Sequence, residues 1–153
     1  MKDGVEVRPA GRGDAEALLP LLRDYYAEDS YPFDAAASRA ALCGLLEHPE
    51  RGRAWLAHEG GRIAGYVVLT LGWSLEYRGL DAFVDELYVT PARRGRGLGR
   101  RLLEELLREC RRLGVRALHL EVERDKPEAQ ALYRKLGFED HERKLMTRPI
   151  TPP

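Results

Sequence analysis

At 153 residues, with 44% hydrophobic and 33% charged residues, the chain has the size and balance of one ordinary globular domain with room for a core. Lysine plus arginine equals aspartate plus glutamate at 25 each, so no overall field draws the chain to nucleic acid or an anionic membrane, and any basic site must be local. Cys43 and Cys110 lie far apart without a CxxC pair and read as core thiols, the opening MKDGVEVRPA lacks the apolar stretch of a secretion signal, and no run is long enough to cross a bilayer, so a cytoplasmic location is expected.

Residues 5–8 alternate apolar and charged side chains as a half-buried strand does, and Pro9 with Gly11 and Gly13 ends it. Asp14 is placed to cap a helix over residues 15–26, striped by Ala17, Leu18, Leu21 and Leu22, with a kink expected at Pro20. Asp34 is placed to cap a second helix that reaches Leu46 and is ended by His48-Pro49. Residues 55–58 and 63–71 read as a hairpin about Glu59-Gly60-Gly61-Arg62. A strand over 82–89 follows, then a connection over 91–97 and a helix over 98–112, striped by Leu98, Leu102, Leu106, Cys110 and Leu113 and ended by Gly114. A strand over 117–122, a helix from Pro127 through Leu136 closed by Gly137, a last strand over 139–146 and a loose tail complete the chain. The order β-α-α-β-β-β-α-β-α-β, without repeats or an interior boundary, predicts a mixed α/β domain with a central mixed sheet flanked by helices.

The most informative segment is Arg93-Arg94-Gly95-Arg96-Gly97-Leu98-Gly99-Arg100-Arg101, between an apolar strand and an amphipathic helix. Glycines let several backbone N–H groups converge, and the helix start adds the positive end of its dipole, so the segment is suited to a phosphate ligand. An arginine-rich turn with a frayed helix start is the plainer reading of a lone glycine cluster; the strand, loop and helix in sequence favour the phosphate site. A nucleotide-hydrolase loop needs Lys-Ser or Lys-Thr after its glycines, whereas Gly99 precedes Arg100-Arg101. A dinucleotide loop needs G-x-G-x-x-G, whereas Gly95, Gly97 and Gly99 are spaced G-x-G-x-G.

With Arg94, Gly97 and Gly99 at the positions of the Arg/Gln-x-x-Gly-x-Gly/Ala pattern, the chain resembles the GNAT (GCN5-related N-acetyltransferase) superfamily. Asp85-Glu86-Leu87-Tyr88-Val89 resembles its central strand, and Leu120-Glu121-Val122 with Ala129, Leu132-Tyr133 and Gly137-Phe138 resembles its second motif. The resemblance covers nearly the whole chain and implies an acetyltransferase whose cosubstrate is acetyl-CoA; from the cysteine and histidine spacing no metal is expected. It implies that the loop (Arg94, Gly95, Arg96, Gly97, Leu98, Gly99 and Arg100) holds the pyrophosphate. It also implies that Leu87, Tyr88 and Val89 border the pantetheine arm, with backbone groups of Leu87 and Val89 pairing with it. Lys126 stands where the family often carries Asn, a departure that bears on the pantetheine surroundings.

Acetyl transfer from a thioester to an amine needs an uncharged amine, a polarised carbonyl and a proton for the departing thiolate. Tyr133 suits the last role, and its place in the apolar stripe Ala129, Leu132, Tyr133 and Leu136 also suits a core aromatic; the resemblance favours the acid. Asp85 and Glu86 interrupt an apolar strand, where a carboxylate facing the core is costly, so at least one is expected at a cleft. Side chains alternate along a regular strand, and the family's usual bulge there would re-aim one of the two. Glu121 is the third candidate base, and solvated strand acids are the plain alternative for all three. His48, His58, His119 and His141 are scattered without ligand spacing and read as structural. No covalent nucleophile motif is present, which favours direct transfer in a ternary complex.

For the acceptor, the stretch Tyr25, Tyr26, Glu28, Asp29, Tyr31 and Asp34 mixes aromatics with carboxylates. Lying over the central strand, these acids would join Glu76, Asp85 and Glu86 around one mouth suited to a small cationic amine. A protein lysine or N-terminus is the alternative acceptor, and a non-catalytic acyl-CoA-binding module the alternative function. No nucleic-acid or membrane partner is expected, and a homodimer stays open.

Overall fold

The computed structural model describes residues 4–151. They fall into two compact units that meet at the Glu121/Val122 boundary. The first holds a five-stranded sheet in the order β1-β2-β3-β4-β5, formed by β1 (Val5–Pro9), β2 (Gly52–Glu59), β3 (Arg62–Ser74), β4 (Gly79–Val89) and β5 (Ala117–His119). The first four strands are antiparallel to their neighbours, and β5 runs parallel to β4. Helices α1 (Ala15–Glu28), α2 (Ala35–Leu46) and α3 (Leu98–Leu113) flank the sheet. Among the described residues no helix is long and apolar enough to cross a membrane.

Each helix forms where local chemistry allows it. The Asp34 side chain accepts from the Ala37 amide and caps α2. Asp14 stands at the start of α1, but against expectation its side chain makes no capping bond to that helix: its carboxylate takes two hydrogen bonds from Arg8, at 2.7 and 3.0 Å, and one from the Gly11 amide at 2.7 Å. These bonds, led by that to Arg8, hold the Asp14 carboxyl below the usual carboxylate range. Helix α1 runs unbroken through Pro20.

Two buried faces follow from strand alternation. Ala54 and Leu56 of β2, Tyr66 and Val68 of β3, and Tyr88 of β4 pack with Leu18, Leu22 and Leu42 beneath α1 and α2. The alternate residues Trp55, Val67 and Leu69 complete the core with Leu98, Leu102, Leu103, Leu106 and Cys110 of α3. The Arg53 guanidinium on that side reaches Glu109 of α3 at 2.9 Å. Burial pushes the Cys110 thiol up to about 11, which leaves it an inert core group.

The second unit contains α4 (Pro127–Lys135), with Phe138 folded back so that its ring lies 5.9 Å from that of Tyr133. The expected last strand over residues 139–146 is not formed, and the expected strand over 117–122 stops at His119. The segment after Phe138 begins with six consecutive polar or charged residues, so it has no apolar face to bury, and Leu145 and Met146 are exposed.

Gly65 lies opposite Val89, and a side chain added there would come within 2.6 Å of the Tyr88 carbonyl oxygen. Gly65→Val should push β3 away from β4 and cost about 1–3 kcal/mol, the usual range for overpacking. Urea unfolding measures that loss directly.

Candidate active site

The loop after β4 begins with a short 3₁₀ turn over Pro91–Arg93 and then reverses through Gly95 and Gly97, whose φ angles are +75° and +79°. Such angles strain any residue with a Cβ, a β-branched one most. Gly97 supplies no side chain to cap α3, and the first return bond of the helix runs from the Arg101 amide to the Gly97 carbonyl at 3.0 Å. The amides of Leu98, Gly99 and Arg100 therefore sit at an uncapped helix start, where the macrodipole is positive. Leu98 is buried and anchors the turn to the core, while Gly95, Arg96 and Gly97 are exposed.

The arginines of this loop carry protein partners that sequence reasoning missed. Arg93 lies 2.5 Å and Arg96 3.5 Å from the Glu59 carboxylate at the end of β2. Arg94 donates to Glu28 of α1 at 2.5 Å and to the Val89 carbonyl at 2.8 Å, with its guanidinium 5.5 Å from the centre of the Tyr88 ring. Arg100 pairs with Glu104 one helical turn on, and Arg101 donates to the Val5 carbonyl. Glu59 and Glu28 have no local pattern that marks them; only the fold brings them to the loop.

In β4, Val68 faces Glu86 but the next residue of β3, Leu69, faces Val84. Asp85 is the extra residue of a β-bulge. The bulge carries Glu86 to the face beneath α1, where its two carboxylate oxygens accept from the Tyr26 hydroxyl at 2.7 Å and the Tyr66 hydroxyl at 2.8 Å. Burial raises the Glu86 carboxyl, the two phenols pull it back, and the charge of Asp85 raises it again. Burial, followed by that carboxylate, pushes both phenols well above the ordinary tyrosine value. Asp85 stays exposed at residue level, with its carboxyl raised by partial burial.

Strand β5 pairs with β4 only from Asp81 to Phe83, while β4 continues to Val89. The two strands therefore part at the bulge, and the edge carrying Leu87 and Val89 lacks a strand partner on the β5 side. Among the other expected residues, Glu121 is exposed beyond the end of β5. In the second unit, burial raises the Tyr133 hydroxyl on α4.

The expected mouth of acids is not assembled. Glu76 lies at the tip of the β3–β4 hairpin, seven or more strand residues from Glu86, on the order of 20 Å along the strand. Glu28 is held by Arg94 and Asp34 caps α2, so neither stands as a free anion. Tyr25 and Tyr26 pack into an aromatic group with Tyr88, Tyr66 and Phe33, with ring centres about 6 Å apart. Tyr31 is half-exposed, and Asp29 follows the end of α1.

Residues 16–138 match the acetyltransferase (GNAT) family. The chain is 37% identical over 131 residues to N-alpha-acetyltransferase RimI of Mycobacterium tuberculosis, covering 84% of this chain and 74% of that protein. Among solved structures it is similar to an integron cassette protein from the mobile metagenome of Cole Harbour Salt Marsh. That similarity has a TM-score of 0.86 and 40% identity over 96% of this chain and 91% of the other. It shares its fold with a predicted acetyltransferase of Clostridium acetobutylicum solved with acetyl-CoA, at a TM-score of 0.81 and 16% identity over 94% of this chain and 96% of the other.

Tyr66→Phe removes one of the two bonds that offset Glu86 burial. A carboxyl raised in the folded state contributes stability below its ordinary range and loses it as pH rises through the folded value. Without the Tyr66 hydroxyl that value rises further, so the variant's deficit, about 1–3 kcal/mol at neutral pH, should be smaller in acid, where the carboxyl is protonated in both proteins. Urea unfolding at neutral and acid pH tests this, and equal deficits would show that the charge of Glu86 plays no part in the loss.

Proposed function

Because the chain belongs to the acetyltransferase (GNAT) family and is thereby an acyl-CoA-dependent acyltransferase, we propose that it moves an acetyl group from acetyl-CoA to a primary amine by direct transfer in a ternary complex. The acceptor in this reading is the α-amine of a peptide or protein. The observation that carries the cosubstrate half is the exposed Gly95–Gly97 reversal into an uncapped helix start, beside a strand edge that β5 leaves unpaired. Converging amides at a helix N-terminus suit a pyrophosphate, and an unpaired strand edge suits the amides of a pantetheine arm at Leu87 and Val89.

The roles of the reacting groups follow from their surroundings. Burial keeps the Tyr133 hydroxyl protonated at neutral pH, which suits it to the role of proton donor to a departing thiolate. Glu86 has both oxygens occupied by phenols and fixes α1 over the bulge. Asp85, on the bulge and open to solvent, is the carboxylate left to hold an incoming ammonium. Glu121 lies past the end of β5 and has the weaker claim.

A peptide α-amine is favoured over a small cation by two observations. Two of the acids expected to attract a cation, Glu28 and Asp34, are committed to Arg94 and to the α2 cap. The relative at 37% identity is an N-alpha-acetyltransferase. A thiol-release assay with acetyl-CoA against N-terminally free peptides, polyamines, aminoglycosides and amino acids tests the assignment. Peptides should turn over best; preference for a polyamine would restore the small-cation reading.

Two variants test the machinery. Gly97→Val places a β-branched residue at a φ of +79° and should abolish coenzyme A binding in calorimetry while circular dichroism stays native. Tyr133→Phe keeps the ring packing and should lower kcat at least tenfold with acetyl-CoA affinity unchanged.

A further inference from the structure

His119 is the last residue of β5 and lies opposite Phe83 in the parallel register, so it stands where β5 and β4 part. Its ring lies 5.0 Å from that of Phe83 and 5.3 Å from that of Tyr77. Its Nε2 is 3.2 Å from the Asp81 carboxylate, with 21% of the His119 side chain and 17% of the Asp81 side chain exposed. Asp81 has room because Gly72 lies opposite: a side chain there would come within 2.8 Å of Asp81 Oδ1. The dyad is therefore built, oriented and open on one side.

Register places it on the reacting face. Tyr66, Val68, Thr70 and Gly72 alternate along β3, and their partners Tyr88, Glu86, Phe83 and Asp81 share that face of the sheet. Asp85, the extra residue of the bulge, follows Phe83 by two positions on the same strand. Phe83 and Asp85 are two strand residues apart, about 7 Å. Holding β5 in place does not account for the pair, since the strands are already joined by their ladder and by the Arg116 amide bonded to the Leu80 carbonyl at 2.8 Å.

We propose that His119, oriented by Asp81, accepts the proton of the acceptor ammonium, and that Tyr77 and Phe83 wall the acceptor's approach. This rests on the acetyltransferase reading above and assigns a base that reading leaves open. With Nε2–H donated to Asp81, the Nδ1 lone pair is the basic one. The ammonium gives one proton to Nδ1, and the freed lone pair forms the N–C bond to the thioester carbonyl. The C–S bond breaks and sulfur leaves with its electron pair. The second proton lost by nitrogen as the amide forms balances the one sulfur takes up, and the imidazolium returns its proton to water.

The test uses the full chain with acetyl-CoA and two acceptor probes, an alanyl-terminated peptide and spermidine. His119→Ala should lower kcat/KM about 100-fold, as loss of a general base does, with acetyl-CoA affinity unchanged and turnover partly restored by added imidazole. His119→Gln should show the same loss, Asp81→Asn a smaller one of about tenfold, and Asp85→Asn a raised acceptor KM that imidazole does not correct. Unchanged turnover in His119→Ala overturns the proposal, and so does a loss that imidazole fails to restore. Independently of the acceptor, the ring resonances of His119 in NMR should shift on adding acetyl-CoA and not on adding ADP, which carries the pyrophosphate alone. A ring that ignores bound acetyl-CoA overturns the His119 assignment and leaves the acetyltransferase reading standing, whereas failure of acetyl-CoA to bind at all removes both.

Discussion

One inserted residue in β4 governs the rest of the site. Ala82 and Val84 face α3, and a regular alternation would send Glu86 after them into an apolar core. The extra residue at Asp85 reverses the alternation, so that Glu86 and Tyr88 emerge beneath α1 among hydroxyls and rings. The same irregularity coincides with the end of the β4–β5 ladder at Phe83, and the strand edge beyond it is left open. The carboxylate and the aromatic floor thus share one cause, and the unpaired backbone edge lies beside them.

Electrostatic balance is handled pair by pair. The Glu86 carboxyl is raised by burial, and two phenolic hydrogen bonds rather than an opposite charge pull it back, without a second ion beneath α1. On the loop, Glu59 and Glu28 hold three guanidiniums in place while the amides of the helix start stay uncovered. Arginine side chains so anchored shape the turn, and the backbone presents the positive end of the dipole. Arg94 also ties the loop to the end of α1 and covers Tyr88, so the two halves of the site share one side chain.

The elements with strong periodicity or sharp punctuation were legible from the residues alone. The α3 stripe, the Asp34 cap and the turn at Glu59-Gly60-Gly61-Arg62 each depend on neighbours within a few residues, and local chemistry determines them. The strand expected over 139–146 does not form, because a segment that opens on six polar or charged residues has no face to bury and a strand there needs a partner that local sequence does not supply.

By itself, then, the sequence determined the fold class, the glycine-rich reversal into a helix start and the family, since each of these is written in short-range spacing: Arg94, Gly97 and Gly99, and the strand and helix around them. Tertiary structure decided which groups the acids touch. Glu28 reaches Arg94 across 66 residues, Tyr26 reaches Glu86 across 60, and Asp81 reaches His119 across 38. Separations of that size leave no periodic trace in the chain. A carboxylate's role depends on what lies within a hydrogen bond of it, and strand register together with helix packing sets that distance.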